Sequence, residues 1–89
     1  MAYMFVRTGV LDYDTFRDAF DDAEDMRQSA GSTGNVVFQS ADEPNEVTVQ
    51  VEFPTVEAAK AFALSQGLRD AMLRARVQGP PRIWFVNDT

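Results

Sequence analysis

Val47, Val49, Val51 and Phe53 alternate with Thr48, Gln50 and Glu52 without a break. Successive side chains of a β-strand point to opposite faces, so this segment puts its apolar residues on one side of a sheet and its polar ones on the other. A sheet with one apolar face must be covered by a second layer. The covering elements are legible on either side. Phe16, Ala19, Phe20, Ala23 and Met26 recur at steps of three and four, which predicts a helix from Asp14 to near Ala30, with Asp12 or Asp14 as N-cap. Gly31-Ser32-Thr33-Gly34 breaks it. Val56, Ala59, Phe62 and Ala63 mark a second helix capped by Thr55, with Glu57 in its first turn. Ser65 caps a third, short helix carrying Leu68, Ala71, Met72 and Ala75, with Arg74 and Arg76 in its last turn and Gly79-Pro80-Pro81 as its stop.

Three further strands complete the pattern: residues 2–8, 35–40 and 82–87. The polar loop 41–46, with Pro44 and Asn45, joins the second and third strands as an antiparallel hairpin. The order β-α-β-β-α-β is the ferredoxin-like α+β plan, a four-stranded antiparallel sheet with its first and third strands central and helices on one face. Val6 and Val10 join the valines of the third strand on the covered face. Tyr3, Phe5 and Arg7 join Thr48, Gln50 and Glu52 on the other. The aromatics there are uncomfortable in water. Their expected fate is burial against a second copy, two sheets face to face forming a dimeric α/β barrel.

Composition narrows the function. A chain of 89 residues is expected to be one domain, residues 1–89, burying only about 60–65% of its unfolded surface. It has neither cysteine nor histidine, so disulfides, Ser–His and Cys–His nucleophile pairs are impossible and a structural zinc site is not expected. A net charge of −6 repels phosphate backbones and anionic membrane surfaces, so neither nucleic acid nor membrane is an expected partner. The opening MAYMFVRTGV does not read as a signal peptide, and the cytoplasm is the expected address.

Five features carry candidate chemistry. The carboxylates of Asp12, Asp14, Asp18, Asp21, Asp22, Glu24 and Asp25 read as a solvated helix face rather than a cation site, because a straight helix spreads them too far apart. Arg7, Gln50 and Glu52 share a face: Glu52 either pairs with Arg7 to fix dimer register or acts as a base with a raised pKa. Phe16, Phe20, Phe38, Phe53 and Phe62, with Tyr13 nearby, form either a filled core or an apolar pocket with Tyr13 as a polar handle. Trp84 either anchors the dimer or caps the core; its parity leaves both open. Arg69, Arg74, Arg76 and Arg82 read as helix-end complementarity and surface charge.

Val10-Leu11-Asp12-Tyr13 followed by Phe16, the hairpin Asp42 to Val47, and Phe53 followed by Thr55-Val56-Glu57-Ala58-Ala59-Lys60-Ala61-Phe62 and Ser65 together resemble the small antibiotic biosynthesis monooxygenase-like proteins of the dimeric α/β-barrel superfamily. The resemblance implies a homodimer. It implies, for some members, oxygenation or cyclisation of an aromatic metabolite without metal or flavin; other members degrade haem or isomerise small lactones. Members commonly carry Trp where this chain has Phe53 and His where it has Phe62. Phenylalanine neither ligates haem nor exchanges a proton, so no cofactor is expected. On this reading Tyr13, Phe20, Phe53, Phe62 and Arg7 line a substrate pocket. Tyr3, Phe5, Arg7, Gln50, Glu52 and Trp84 form the dimer interface. The alternative is a non-catalytic dimeric interaction or regulatory protein with a filled core.

Overall fold

The computed structural model describes residues 1–89. Its elements run β1 (Ala2–Val10), α1 (Tyr13–Asp22), α2 (Glu24–Ser29), β2 (Gly34–Gln39), β3 (Glu46–Phe53), α3 (Val56–Ala63), α4 (Gln66–Arg74) and β4 (Val77–Asn87). The four strands form one antiparallel sheet in the order β2-β3-β1-β4, so the first and third strands are central as expected. This is the ferredoxin-like plan with each helical connection divided in two.

The caps follow the chemistry of their side chains. Asp12 accepts from the amides of Asp14 and Thr15 and from the Thr15 hydroxyl. Thr55 accepts from the Ala58 amide and Ser65 from the Leu68 amide. Each satisfies a donor that the first helical turn leaves without an intrahelical partner.

Two expectations are corrected. The helix predicted from Asp14 to Ala30 is interrupted at Ala23, whose φ and ψ of −90° and 6° end α1 and begin α2. Nor does Gly79-Pro80-Pro81 end a helix. The last helix stops at Arg74, Arg76 turns the chain at a φ of 58°, and β4 already begins at Val77. The Gly-Pro-Pro segment lies inside β4, where the pairing with β1 shifts between Arg7 and Gly9. Gly79 takes a φ of 73° there, and the prolines, which have no N–H to give a ladder, sit at the irregularity that tolerates them.

Alternation divides the sheet as predicted. Met4, Val6 and Val10 of β1 and Val47, Val49, Val51 and Phe53 of β3 are buried beneath the helices, against Phe16, Ala59, Phe62 and Ala75. Phe53 is fully buried, with its ring 5.4 Å from that of Phe62. No helix is long and apolar enough to cross a membrane.

Candidate functional site

Between the sheet and α1, α2 and α4 lies a cavity of about 60 Å³. The sheet supplies its floor through Met4, Val6, Thr8, Val49, Val51 and Val77. Phe16 and Phe20 of α1, Phe62 of α3, and Leu68, Ala71 and Met72 of α4 supply the walls. Met26 enters because α4 approaches closely at Gly67: a Cβ there would lie 3.2 Å from the Met26 sulfur.

Fifteen of the seventeen lining residues are apolar, which leaves Thr8 and Arg27 to give the site its polarity. The Thr8 hydroxyl donates to the Gly9 carbonyl at 3.1 Å, so its proton is spent. Arg27 is only 5% exposed. Its guanidinium lies 3.7 Å over the ring of Phe20, and its Nε is buried with no hydrogen-bond partner. The three ion pairs of the molecule are Met1–Asp88, Arg7–Glu46 and Arg17–Asp21, and none involves Arg27. Burial lowers its pKa, while the charges of Glu24 and Asp21 hold it up and that of Arg17 lowers it further. A guanidinium remains charged under such a shift, because it starts far above neutrality.

Of the expected pocket residues, Phe20 and Phe62 line the cavity. Phe53 is fully buried against Phe62 and does not line the cavity. Tyr13 opens α1, with its amide donating to Asn45 Oδ1 and its ring packed at 6.1 Å from Phe16; it does not reach the cavity. Arg7 projects from the opposite side of the sheet and Phe38 is 49% exposed there, so neither belongs to an inner aromatic set. Arg27 went unnoticed in the sequence, yet it carried a signal. Phe16, Phe20, Ala23 and Arg27 are spaced four, three and four, so the arginine continues an apolar stripe.

The outer face holds a second group. Strand register places Tyr3, Phe5, Arg7, Gln50, Glu52 and Trp84 on it together, with Val36, Phe38 and Val86. Trp84 therefore faces outward, its ring stacked 5.4 Å from that of Phe5 at an interplanar angle of 10°. The expected Arg7–Glu52 pair does not form. Register sets Tyr3, not Arg7, opposite Glu52, and Arg7 pairs with Glu46 at 2.8 Å. Glu52 instead accepts from the Thr33 hydroxyl at 2.8 Å. Burial raises the Tyr3 pKa above its ordinary value, with further upward contributions from a hydrogen bond to Glu52 and the charges of Glu52 and Asp88. The acidic side chains of α1 and α2 are exposed, and no three carboxylates converge as a metal-ligand set.

No protein-family profile matches the chain, and no curated protein matches it in sequence. Solved structures do match its backbone. One assigned to the antibiotic biosynthesis monooxygenases, from Bordetella bronchiseptica, superposes with a TM-score of 0.86 at 17% identity over 99% of this chain and 96% of that one. The chain shares its fold with the antibiotic biosynthesis monooxygenases. SnoaB, a cofactor-independent oxygenase from Streptomyces nogalater, matches with a TM-score of 0.77 at 10% identity over 99% and 91% of the two chains. A protein of unknown function from Nitrosomonas europaea matches at 0.74 with 20% identity over 96% and 85%. This antibiotic biosynthesis monooxygenase fold is common to proteins with and without an assigned reaction, so at such identities it carries architecture and not chemistry.

Proposed function

We propose that this protein is a homodimer that binds a small, largely apolar molecule in the cavity of each protomer. The observation that carries the reading is the cavity itself, an apolar chamber whose lining includes the buried and unpartnered Nε of Arg27. Burying a polar atom without a hydrogen bond is costly, and a filled core has no use for one. The outer face supports the dimer. Val36, Phe38, Trp84 and Val86 are all more than a third exposed on one side of one sheet, an apolar surface of the kind that marks an interaction site.

The cavity as it stands does not hold two aromatic rings. Its volume is below the roughly 150 Å³ that accommodates benzene in an engineered protein cavity. A multi-ring substrate would require the helices to separate from the sheet, and the small volume is what favours the alternative of a filled, non-catalytic core. Cofactor-independent oxygenation is supported by the likeness to SnoaB. No carboxylate, lysine or tyrosine lines the cavity, so the chain offers no side-chain base to a bound substrate. Ligand binding is thus the better-supported reading, and oxygenation suits a substrate that arrives already ionised.

Native mass spectrometry of the gently purified protein tests both parts. The expected spectrum is a dimer carrying a small mass that is lost on denaturation. A clean monomer would overturn the dimer; a ligand-free dimer would leave the filled-core alternative.

A further inference from the structure

Arg27 divides two environments. Its Nε is buried on the side of the apolar cavity, while its terminal nitrogens open onto a separate hollow of about 340 Å³ beside α2 and β2. None of the residues lining that hollow is apolar: Glu24, Arg27 and Gln28 of α2, Ser32 and Thr33 of the turn, and Asn35 of β2 supply its side chains. The Ser32 hydroxyl donates to the Gly34 carbonyl at 3.1 Å and the Thr33 hydroxyl to Glu52 at 2.8 Å, so both protons are spent and both oxygens remain as acceptors. Arg27 is 5% exposed and forms no ion pair. The arginines that donate within the chain are Arg7, Arg17 and Arg69, and Arg27 is not among them. Glu24, one helical turn before it, forms no ion pair either. Opposite charges three residues apart on a helix ordinarily reach each other. Here the Arg27 guanidinium is drawn inward, 3.7 Å over the ring of Phe20, so two opposite charges line one hollow and do not meet.

We infer that this hollow binds a small zwitterion, an α-amino acid with a polar side chain, its carboxylate on the terminal nitrogens of Arg27 and its ammonium on Glu24 and the hydroxyl oxygens of Ser32 and Thr33. A guanidinium presents donors in a planar fork that complements a carboxylate. The two charges of an α-amino acid are joined through a single carbon, so one molecule seated between Arg27 and Glu24 answers both. A ligand with only one of the charges leaves the other group unpaired, and that is the source of selectivity. Gln28 and Asn35 each offer a donor and an acceptor to the remainder of the ligand. The volume falls within the roughly 300–1,000 Å³ of small-molecule sites. A wholly polar lining gives nothing to an apolar body, which sets this site apart from the cavity on the other side of Arg27, and the assignment does not rest on that cavity being occupied.

Three isosteric probes give the assay. Protein labelled with nitrogen-15, and with carbon-13 at the methionine methyls, is titrated with L-serine, with L-serinamide, which lacks the carboxylate, and with glycerate, in which a hydroxyl replaces the ammonium. The side-chain amides of Gln28 and Asn35 report on the hollow, and the methyls of Met4 and Met72 on the apolar cavity. The expected result is a saturable shift of both side-chain amides with serine, Met4 and Met72 unmoved, and affinity about tenfold weaker for each single-charge isostere, the scale of one charge-assisted hydrogen bond. Glu24 is exposed, so Glu24→Gln is expected to leave the fold intact and to bring serine down to the affinity of glycerate. Glycerate binding as tightly as serine, or serine binding undiminished in Glu24→Gln, would overturn the zwitterion in favour of a simple anion. Serinamide binding as tightly as serine would overturn Arg27 as the receiver of a carboxylate. Side-chain amides unmoved by all three compounds would overturn the site, and movement of Met4 and Met72 alone would place the ligand in the apolar cavity instead. The comparison among the three compounds needs no variant.

Discussion

Met4 and Phe5 are neighbours in β1 and end in opposite surroundings. Met4 is 1% exposed, between β3 and the helices. Phe5 is half-buried and stacks on a tryptophan that is itself 38% exposed. The same contrast runs across the sheet: Val47, Val49, Val51 and Phe53 are sealed, while Val36, Phe38, Trp84 and Val86 stand open. Both faces carry large apolar side chains, and only one has a layer over it. The covered face completes a fold within one chain. The open face has no such layer within the chain, and the proposed dimer covers it with a second copy of itself.

Substitutions on the two faces are expected to separate protomer stability from assembly. Phe53→Ala removes a fully buried ring packed on Phe62, and it should cost the protomer about 3–5 kcal/mol in urea unfolding. A loss below about 1 kcal/mol would show that the inner layer is not the principal core. Trp84→Ala should instead weaken the dimer by about 2 kcal/mol, on the order of thirtyfold in dissociation constant by sedimentation, the scale of an interface aromatic anchor. Its protomer should unfold at nearly the same urea concentration once monomeric. Equal damage to protomer and dimer would erase the distinction between the faces.

Smaller effects sharpen the picture. Thr55→Ala should lower protomer stability by about 1 kcal/mol through loss of a helix cap, without altering self-association. Arg7 and Glu46 are half and about one-third exposed, so a double-mutant cycle on the pair should give less than about 1 kcal/mol in the protomer, reduced further by salt. Tyr3 provides a pH test. Its pKa is raised in the folded chain, so the folded state holds the proton where the unfolded chain has begun to lose it. That contribution is intact below the ordinary tyrosine value of 10.0 and is lost as pH rises through the folded value. Unfolding followed above pH 10.0 should show a slope that Tyr3→Phe removes; an unchanged slope would mean that neither burial nor Glu52 holds the proton on the Tyr3 hydroxyl.

Strand alternation and helix spacing were legible at once, because burial leaves period two in β3 and steps of three and four in α1. The caps Asp12, Thr55 and Ser65 were equally legible, since their chemistry acts over three residues of chain. The site was not. Phe20 and Phe62 were found because large apolar residues on a helix stripe must point inward. Tyr13 and Phe53 were grouped with them as aromatics and Arg7 as a polar handle, and they are kept out of the cavity by end position, complete burial and strand face. The interruption at Ala23 was not legible, because the apolar spacing of Phe16, Phe20, Ala23 and Met26 runs through it unbroken.

What this chain's sequence determined by itself is therefore local: the elements, their caps, and the division of the central strands into an apolar and a mixed side. Each follows from interactions spanning at most a few residues. Only the tertiary structure decided which way Trp84 faces, that Arg7 meets Glu46 rather than Glu52, and that the Arg27 Nε is buried without a partner. Those facts depend on strand register across 39 residues or more and on the angle at which α2 meets the sheet. Register and packing are settled by the whole core closing at once, and no short stretch of sequence contains them.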